Sequence, residues 1–164
     1  MLRRLSGLAT IGVYGFDAPG FIAALRAGDV RILLDVRQRR GVRGREYSWA
    51  NAGRLQRMLS DAGIAYRHVK ELAPTTELRQ LQYAEDARSG VGKRSRTELA
   101  PEYTARYTRE ILNPVGVEAI VDALPADGRA ALLCVERDPE ACHRSLIAAR
   151  VAGQHGVAVT HLRP

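Results

Sequence analysis

Apolar positions fall into short continuous runs separated by amphipathic stretches. "LATIGVYG" (8–15) is flanked by Gly7 and by "FDAPG", and its apolar and β-branched content predicts a buried strand. Asp17 is placed to cap a short helix in "APGFIAALRAG", with Phe21, Ile22 and Leu25 on its apolar side and Gly28 as terminator. "VRILLDVR" (30–37) carries Ile32, Leu33 and Leu34 in succession, the pattern of a strand covered on both faces in a parallel sheet. "WANAGRLQRMLSDAGI" spaces Leu55, Met58, Leu59 and Ile64 as a helix that stops at Gly63, and "AYRHVKEL" is the third strand candidate. "TTELRQLQYAEDARSG", "PEYTARYTREILN" and "VGVEAIVDALP" read as helices. "RAALLCVE" (129–136) is a fourth strand, "HRSLIAARVAGQHG" a helix, and "VAVTHL" (157–162) a fifth strand.

Strands alternating with helices in this order are the pattern of crossover units. The expected fold is a single α/β domain over 1–164: a three-layer sandwich around a mostly parallel, Rossmann-like sheet of about five strands, with a helical insert at about 74–125 between strands three and four. A chain of 164 residues buries a core without metal or disulfide staples. No stretch approaches the apolar length of a membrane helix. "MLRRLSGLATIGVYGF" has a leader's basic start, Arg3 and Arg4, but its apolar part is short and glycine-broken and is better used as a strand. The expected compartment is the cytoplasm, where Cys134 and Cys142, the two cysteines, stay reduced.

Charge adds an expectation about partners. The formal net charge is +7, and all basic residues but Lys70 and Lys93 are arginine. Such a balance favours an anionic partner, either a small molecule or nucleic acid, although a GC-rich genome produces the same arginine bias. The sequence does not indicate an oligomeric state.

In open α/β sheets, ligands bind where strand carboxyl ends meet helix amino ends. Strand two ends at Asp35 and Arg37, and strand four ends at Cys134 and Glu136 before "RDPEACHR". If both strands are central, these groups converge. Asp35 and Arg37 point to one face of a strand end, either as an internal ion pair or to orient Glu136 and an anionic substrate. Arg39 and Arg40 extend the cationic wall. Glu136 is the candidate general base, on the expectation that partial burial raises its pKa toward neutrality. Cys134 is either a core residue or a thiol of the site.

Cys142 has two readings. With Asp138 as cap and Pro139 in the first turn it sits at a helix N-terminus, which favours a thiolate; on one face with Leu146, Ala149 and Gly153 it opens a buried stripe. His143 is a candidate acid or base, and Arg144 either grips a phosphate or carboxylate with its planar fork or pairs with Glu140. On a regular helix adjacent side chains diverge by about a hundred degrees, so His143 activates Cys142 only if the backbone there is not helical. Otherwise His68 or His161 must serve. Cys134, Cys142 and His143 lack the tight paired spacing of familiar zinc sites, so neither metal nor another cofactor is expected.

Arg43 and Arg45 with Tyr47 and Trp49, and Lys93, Arg94 and Arg96 in a later loop, are two basic clusters suited to nucleic-acid contact. Three functions are therefore open. The first is an enzyme on a nucleotide or other phosphate-bearing substrate, and the second is a non-catalytic nucleic-acid-binding domain. The third is a thiol redox or rhodanese-like sulfur-transfer protein, although "CVERDPEACHRS" is long and glycine-free for that family's anion cradle.

"TIGVYGFDAPGFIAALRAGDVRILLDVRQRR", "LQRMLSDAGIAYRHVKEL" and "ALLCVERDPEACHRSLIAARVAGQHGVAVTHL" together resemble the bacterial and archaeal family called domain of unknown function 488. "DVR" (35–37), "CVE" (134–136) and "CHR" (142–144), in this order, carry the resemblance. It implies an α/β fold and a cytoplasmic bacterial protein, and supplies no reaction. "KELAPTTELRQLQYAED" replaces a glycine-rich stretch of the commoner family pattern, so the insert is expected to reshape the pocket.

Overall fold

The computed structural model describes residues 7–164; Arg3 and Arg4, the basic pair of the leader considered above, lie outside the described residues. Five strands form one sheet: β1 (Leu8–Ile11), β2 (Val30–Asp35), β3 (Ala65–His68), β4 (Arg129–Leu133) and β5 (Val159–Leu162). Their order is β3-β2-β4-β1-β5, and every pairing is parallel. β4 therefore lies at the centre with β2 beside it, Leu34 opposite Leu132 and Asp35 opposite Leu133.

Alternation along the strands splits the core into two layers, because successive side chains point to opposite faces. Ala9, Ile11, Leu33, Ala131 and Leu133 pack against Phe21 and Leu25 of α1 (Ala18–Ala27) and Leu55 and Leu59 of α2 (Ala52–Asp61). Leu8, Leu34, Ala130 and Leu132 face the other side. There they meet α3 (Thr76–Arg88), α4 (Pro101–Tyr107), α6 (Glu118–Asp122) and α7 (Arg144–His155) through Leu78, Tyr107, Ile120, Ile147 and Val151. A π-helical stretch (Thr108–Leu112) carries α4 into the short α5 (Asn113–Val115). The expected three-layer α/β sandwich is thus found, with a sheet that is parallel throughout. Helices of the 74–125 segment cover one face of it.

Local signals act as expected at several ends. Asp17 accepts a hydrogen bond from the Gly20 N–H at 2.8 Å and caps α1, and Gly28 closes that helix. Four strands stop short of their predicted ends, each where the chain turns toward the site. β1 ends at Ile11 because the Val13 and Tyr14 N–H groups both turn to the Val135 carbonyl, at 3.0 Å each. β2 and β4 end at Asp35 and Leu133, and after β3 the chain enters a 3₁₀ turn at Lys70–Leu72. A second 3₁₀ turn, Arg45–Ala50, orders part of the arginine-rich loop. The helix expected to run through "DPEACHR" is absent: Pro139–Ala141 is a 3₁₀ turn, Cys142 is extended (φ −140°, ψ 145°), and α7 starts at Arg144.

Gly12 is required by close approach. A Cβ at this position would stand 2.0 Å from the Glu136 carbonyl oxygen and 3.3 Å from Arg144 Nη2. Overpacking against backbone costs about 1–3 kcal/mol. Gly12→Ala is therefore expected to lower the thermal midpoint by several degrees, measured by calorimetry, and an unchanged midpoint would show that the 136–137 turn yields freely.

Candidate functional site

The carboxyl ends of β2 and β4 open into a cleft in two parts. The inner part encloses about 50 Å³ over a floor that includes Cys134, Cys142, His143 and Glu136. The outer part encloses about 390 Å³ and shares Arg39, Arg79, Tyr83, Lys93 and Val135 with the inner one. Tyr14, Gly41, Val42 and Arg43 complete its wall. Four cationic side chains line that outer chamber, and no carboxylate does.

The floor is built by the turn after β4. Because Cys142 is extended rather than helical, its side chain turns to its own neighbour: Cys142 Sγ lies 3.7 Å from His143 Nδ1. Cys134 Sγ lies 3.8 Å from the same nitrogen. The far ring nitrogen, Nε2, is 2.9 Å from the Val36 carbonyl oxygen, which only accepts, so Nε2 carries the proton and Nδ1 faces both sulfurs. Cys134 also donates to Glu136 Oε2 at 3.2 Å. This arrangement overturns the expected helix-terminal position of Cys142 and its stripe with Leu146, Ala149 and Gly153. Asp138, expected as cap, makes no capping hydrogen bond through its side chain.

Electrostatics of the floor differ from expectation at Glu136. Burial pushes this carboxyl up, but Lys93, Arg96 and a backbone hydrogen bond pull harder and hold it at about 2. The raised value expected of a general base is therefore reversed: Glu136 is a firmly ionised carboxylate. It is 2.9 Å from Arg96 Nη2. Burial works against the charge of His143, yet Cys134 and Glu136 outweigh it, and the His143 pKa is raised. The Cys134 thiol is pushed well up by its hydrogen bond with Cys142, by burial and by Glu136.

Other expected site residues serve as struts. Arg37 donates through Nε and Nη2 to both oxygens of Asp35, at 2.9 and 2.8 Å, and through Nη1 to the Ala50 carbonyl at 3.0 Å. Tyr66 donates to Asp35 Oδ2 at 2.6 Å. Asp35 is fully buried and does not line the cleft; Arg37 lines it with every guanidinium nitrogen already engaged. Arg144, expected to grip an anion, is also fully buried, and donates to the carbonyls of Glu136 (2.7 Å) and Arg137 (3.2 Å). It holds the turn in shape behind the cleft. Its expected partner Glu140 pairs instead with Arg163. Arg40 is turned to the Tyr66 hydroxyl at 3.4 Å, while His68 binds the Arg37 carbonyl and His161 binds Thr10.

The two basic loops do meet. Arg94 donates to Glu46 Oε1 and to the Arg43 carbonyl, and lies 5.2 Å from the ring centroids of both Tyr14 and Tyr47. Trp49 packs on Phe21 at 4.8 Å, inside the α1–α2 layer. The side chains of Arg45, Arg39, Arg43 and Lys93 have no hydrogen-bond or ion-pair partner among the described residues. The residues that sequence reasoning missed come from the insert. Arg79 and Tyr83 of α3 line the cleft, and Gln82 and Asp86 on that helix support Arg96. Their signal was a polar pair four residues apart on a helix that buries little apolar surface.

An all-parallel α/β sandwich with a cation-walled cleft over a thiol, imidazole and carboxylate floor is the class of protein defined by this architecture. The chain belongs to the family Domain of unknown function DUF488, whose pattern matches residues 17–151. Neither the curated proteins nor the solved structures contain a match to it.

Glu136 makes stability pH-dependent in a defined direction. Its folded pKa of about 2 lies below the ordinary 4.5, so its contribution is complete above about pH 4.5 and is lost as pH falls toward 2. Such a shift corresponds to on the order of 3 kcal/mol. Glu136→Gln is expected to be less stable at neutral pH and to lose less on acidification, as read by urea unfolding at stepped pH. Parallel acid limbs for the two proteins would disprove this.

Proposed function

We propose that the cleft binds a phosphate-bearing small molecule, a nucleotide being the class that best fits the outer chamber, and presents it to the thiol–imidazole floor for reaction. The observation that carries this reading is the outer chamber's wall: Arg39, Arg43, Arg79 and Lys93 with no carboxylate among them. Arg39 and Arg43 have no anionic partner among the described residues, and Lys93 feels Glu136 only through space, without an ion pair, so a phosphate meets cations whose donors are not taken by a carboxylate. Arg79 is held by Gln38 Oε1 at 2.9 Å and lies 5.7 Å from the Tyr83 ring centroid, which orients a second donor. Tyr83, exposed at the chamber wall, supplies aromatic surface beside these cations. Cys142 and His143 are the floor groups for chemistry on the ligand, with Cys134 beside them. Anion contact moves from Arg37 and Arg144 to Arg39 and Lys93.

The described residues include no helix long and apolar enough to cross a membrane. Two free cysteines accord with the reducing cytoplasm proposed as the compartment. Nucleic-acid binding through Arg43, Arg45, Lys93 and Arg94 has less support, because the aromatic faces it needs are used internally: Tyr47 by Arg94 and Tyr14, Trp49 by Phe21. A thiol redox or sulfur-transfer role has the closeness of the two sulfurs in its favour. Both residues are nearly sealed, Cys134 at 6% and Cys142 at 2% exposure, which opposes exchange with a bulky partner thiol.

Calorimetric titration with phosphate, pyrophosphate and nucleoside mono-, di- and triphosphates, in buffer with chelator, tests the reading. At least one is expected to bind, with affinity falling roughly tenfold or more in Lys93→Met and in Arg39→Ala. Binding of DNA or RNA with a steep salt dependence, without small-ligand binding, would replace this reading by the nucleic-acid one.

A further inference from the structure

The cleft floor gathers more than a hydrogen-bonded cluster. Cys134 Sγ, Cys142 Sγ and a His143 ring nitrogen all lie within 4.8 Å of one another. Zinc–sulfur bonds of about 2.3 Å and zinc–nitrogen bonds of about 2.0–2.1 Å, at the tetrahedral angle, place ligand sulfur and nitrogen about 3.6 Å apart. The two sulfur–Nδ1 distances are 3.7 and 3.8 Å, close to that tetrahedral edge.

Orientation is an independent observation. Nε2 of His143 is committed to the Val36 carbonyl at 2.9 Å, which leaves the Nδ1 lone pair directed at the sulfurs. A ring nitrogen fixed by a backbone carbonyl while its partner faces the ligand position is the arrangement that metal-binding imidazoles use. Glu136, next to Cys134, is neutralised by Arg96 at 2.9 Å, so two thiolates and a neutral imidazole set the charge, which matches a dication. All three residues line the inner cleft, and a fourth coordination position therefore opens toward it.

We propose that Cys134, Cys142 and His143 bind a thiophilic divalent cation, with zinc as the natural occupant. On binding, each thiol S–H bond breaks, two sulfur–metal bonds form, and the two protons pass to the buffer, with no change of oxidation state. The spacing of seven residues between the two cysteines hid this set, because the turn at Pro139–Ala141 and extended Cys142 bring the sulfurs back together. The ligand set stands on the floor alone; that a phosphate oxygen takes the fourth position rests on the function proposed above.

The test titrates Co²⁺, then Zn²⁺, into the reduced, tag-free, metal-freed full chain and records the absorption spectrum. One cobalt per chain is expected, with thiolate-to-metal charge transfer, the visible bands of a tetrahedral site, and displacement by zinc. Cys134→Ser and Cys142→Ser are each expected to lose about half of the charge-transfer intensity, as one thiolate of two is removed, and His143→Gln to weaken binding. If the wild-type chain gives no thiolate band, the site does not exist, whatever the variants do; a band unchanged in both serine variants places the metal elsewhere. Adding pyrophosphate to the cobalt form is expected to shift the visible bands. A cobalt spectrum indifferent to pyrophosphate in a protein that binds none by calorimetry defeats the anion reading and leaves the metal site standing. Pyrophosphate binding without any cobalt band has the opposite meaning.

Discussion

Arg96 is the fastening on which the site depends. Its three guanidinium nitrogens go to three different parts of the chain: Nη1 to Asp86 of α3 at 2.5 Å, Nη2 to Glu136 after β4 at 2.9 Å, and Nε to the Ala141 carbonyl at 3.1 Å. Ala141 precedes Cys142, so one side chain fixes the insert, the end of the central strand and the turn that carries a floor cysteine. Desolvation of a guanidinium buried between two carboxylates offsets part of their attraction. Removing any member leaves an uncompensated charge inside, and that penalty enforces one geometry. The network continues on both sides. Gln82 donates to Asp86 and accepts from the Ala100 N–H, while Glu136 accepts from Cys134, whose sulfur faces His143, itself held by Val36. Polar groups are thereby linked from an insert helix to the end of β2 across the cleft floor.

Two other arginines work as internal struts. The planar fork of Arg37 spans Asp35 and the Ala50 carbonyl, which ties the end of β2 to the start of α2. Arg144 reaches back to the Glu136 and Arg137 carbonyls across Gly12, which has no Cβ to obstruct it. In both cases an arginine answers buried backbone carbonyls of the loops that follow β2 and β4, a requirement set by burial. "DVR" and "CHR" thus owe much of their character to closing the sheet. That use leaves Arg39, Arg43 and Lys93, in loops, as the cations with unused donors at the cleft.

The sheet was legible because its signal is local. Continuous apolar runs at "ILL" and "ALL", separated by capped amphipathic helices, specify buried parallel strands without reference to distant residues. Convergence of Asp35, Arg37, Cys134 and Glu136 followed from placing strands two and four side by side. The roles of individual residues were less legible, since each turned on a long-range partner. For Arg37 the sequence leaves an ion pair with Asp35 open beside ligand binding, and the structure has the ion pair; the carbonyl acceptors that also engage Arg37 and Arg144 do not show in a sequence. Glu136 was expected to be raised by burial; Arg96, forty residues away, and Lys93 reverse the sign. The cysteine–histidine meeting was hidden by one backbone choice, an extended Cys142 where a helix had been extrapolated from Asp138 and Pro139.

The division of charge along the cleft has a physical consequence for what the site does. Its mouth presents guanidinium and ammonium groups with free donors, so the phosphate ligand proposed above would meet a favourable potential at the outer chamber. Its floor is shielded from that anion's repulsion, because the one carboxylate there is spent on Arg96 and lies within the field of Lys93. A ligand can therefore approach two sulfurs and an imidazole without facing uncompensated negative charge. Such proximity between a held phosphate and oriented polarisable groups is the condition under which positioning lowers a barrier. The insert supplies Arg79, Lys93 and Arg96, three of the charges that set this gradient, whereas the sulfurs and imidazole belong to the turn after β4.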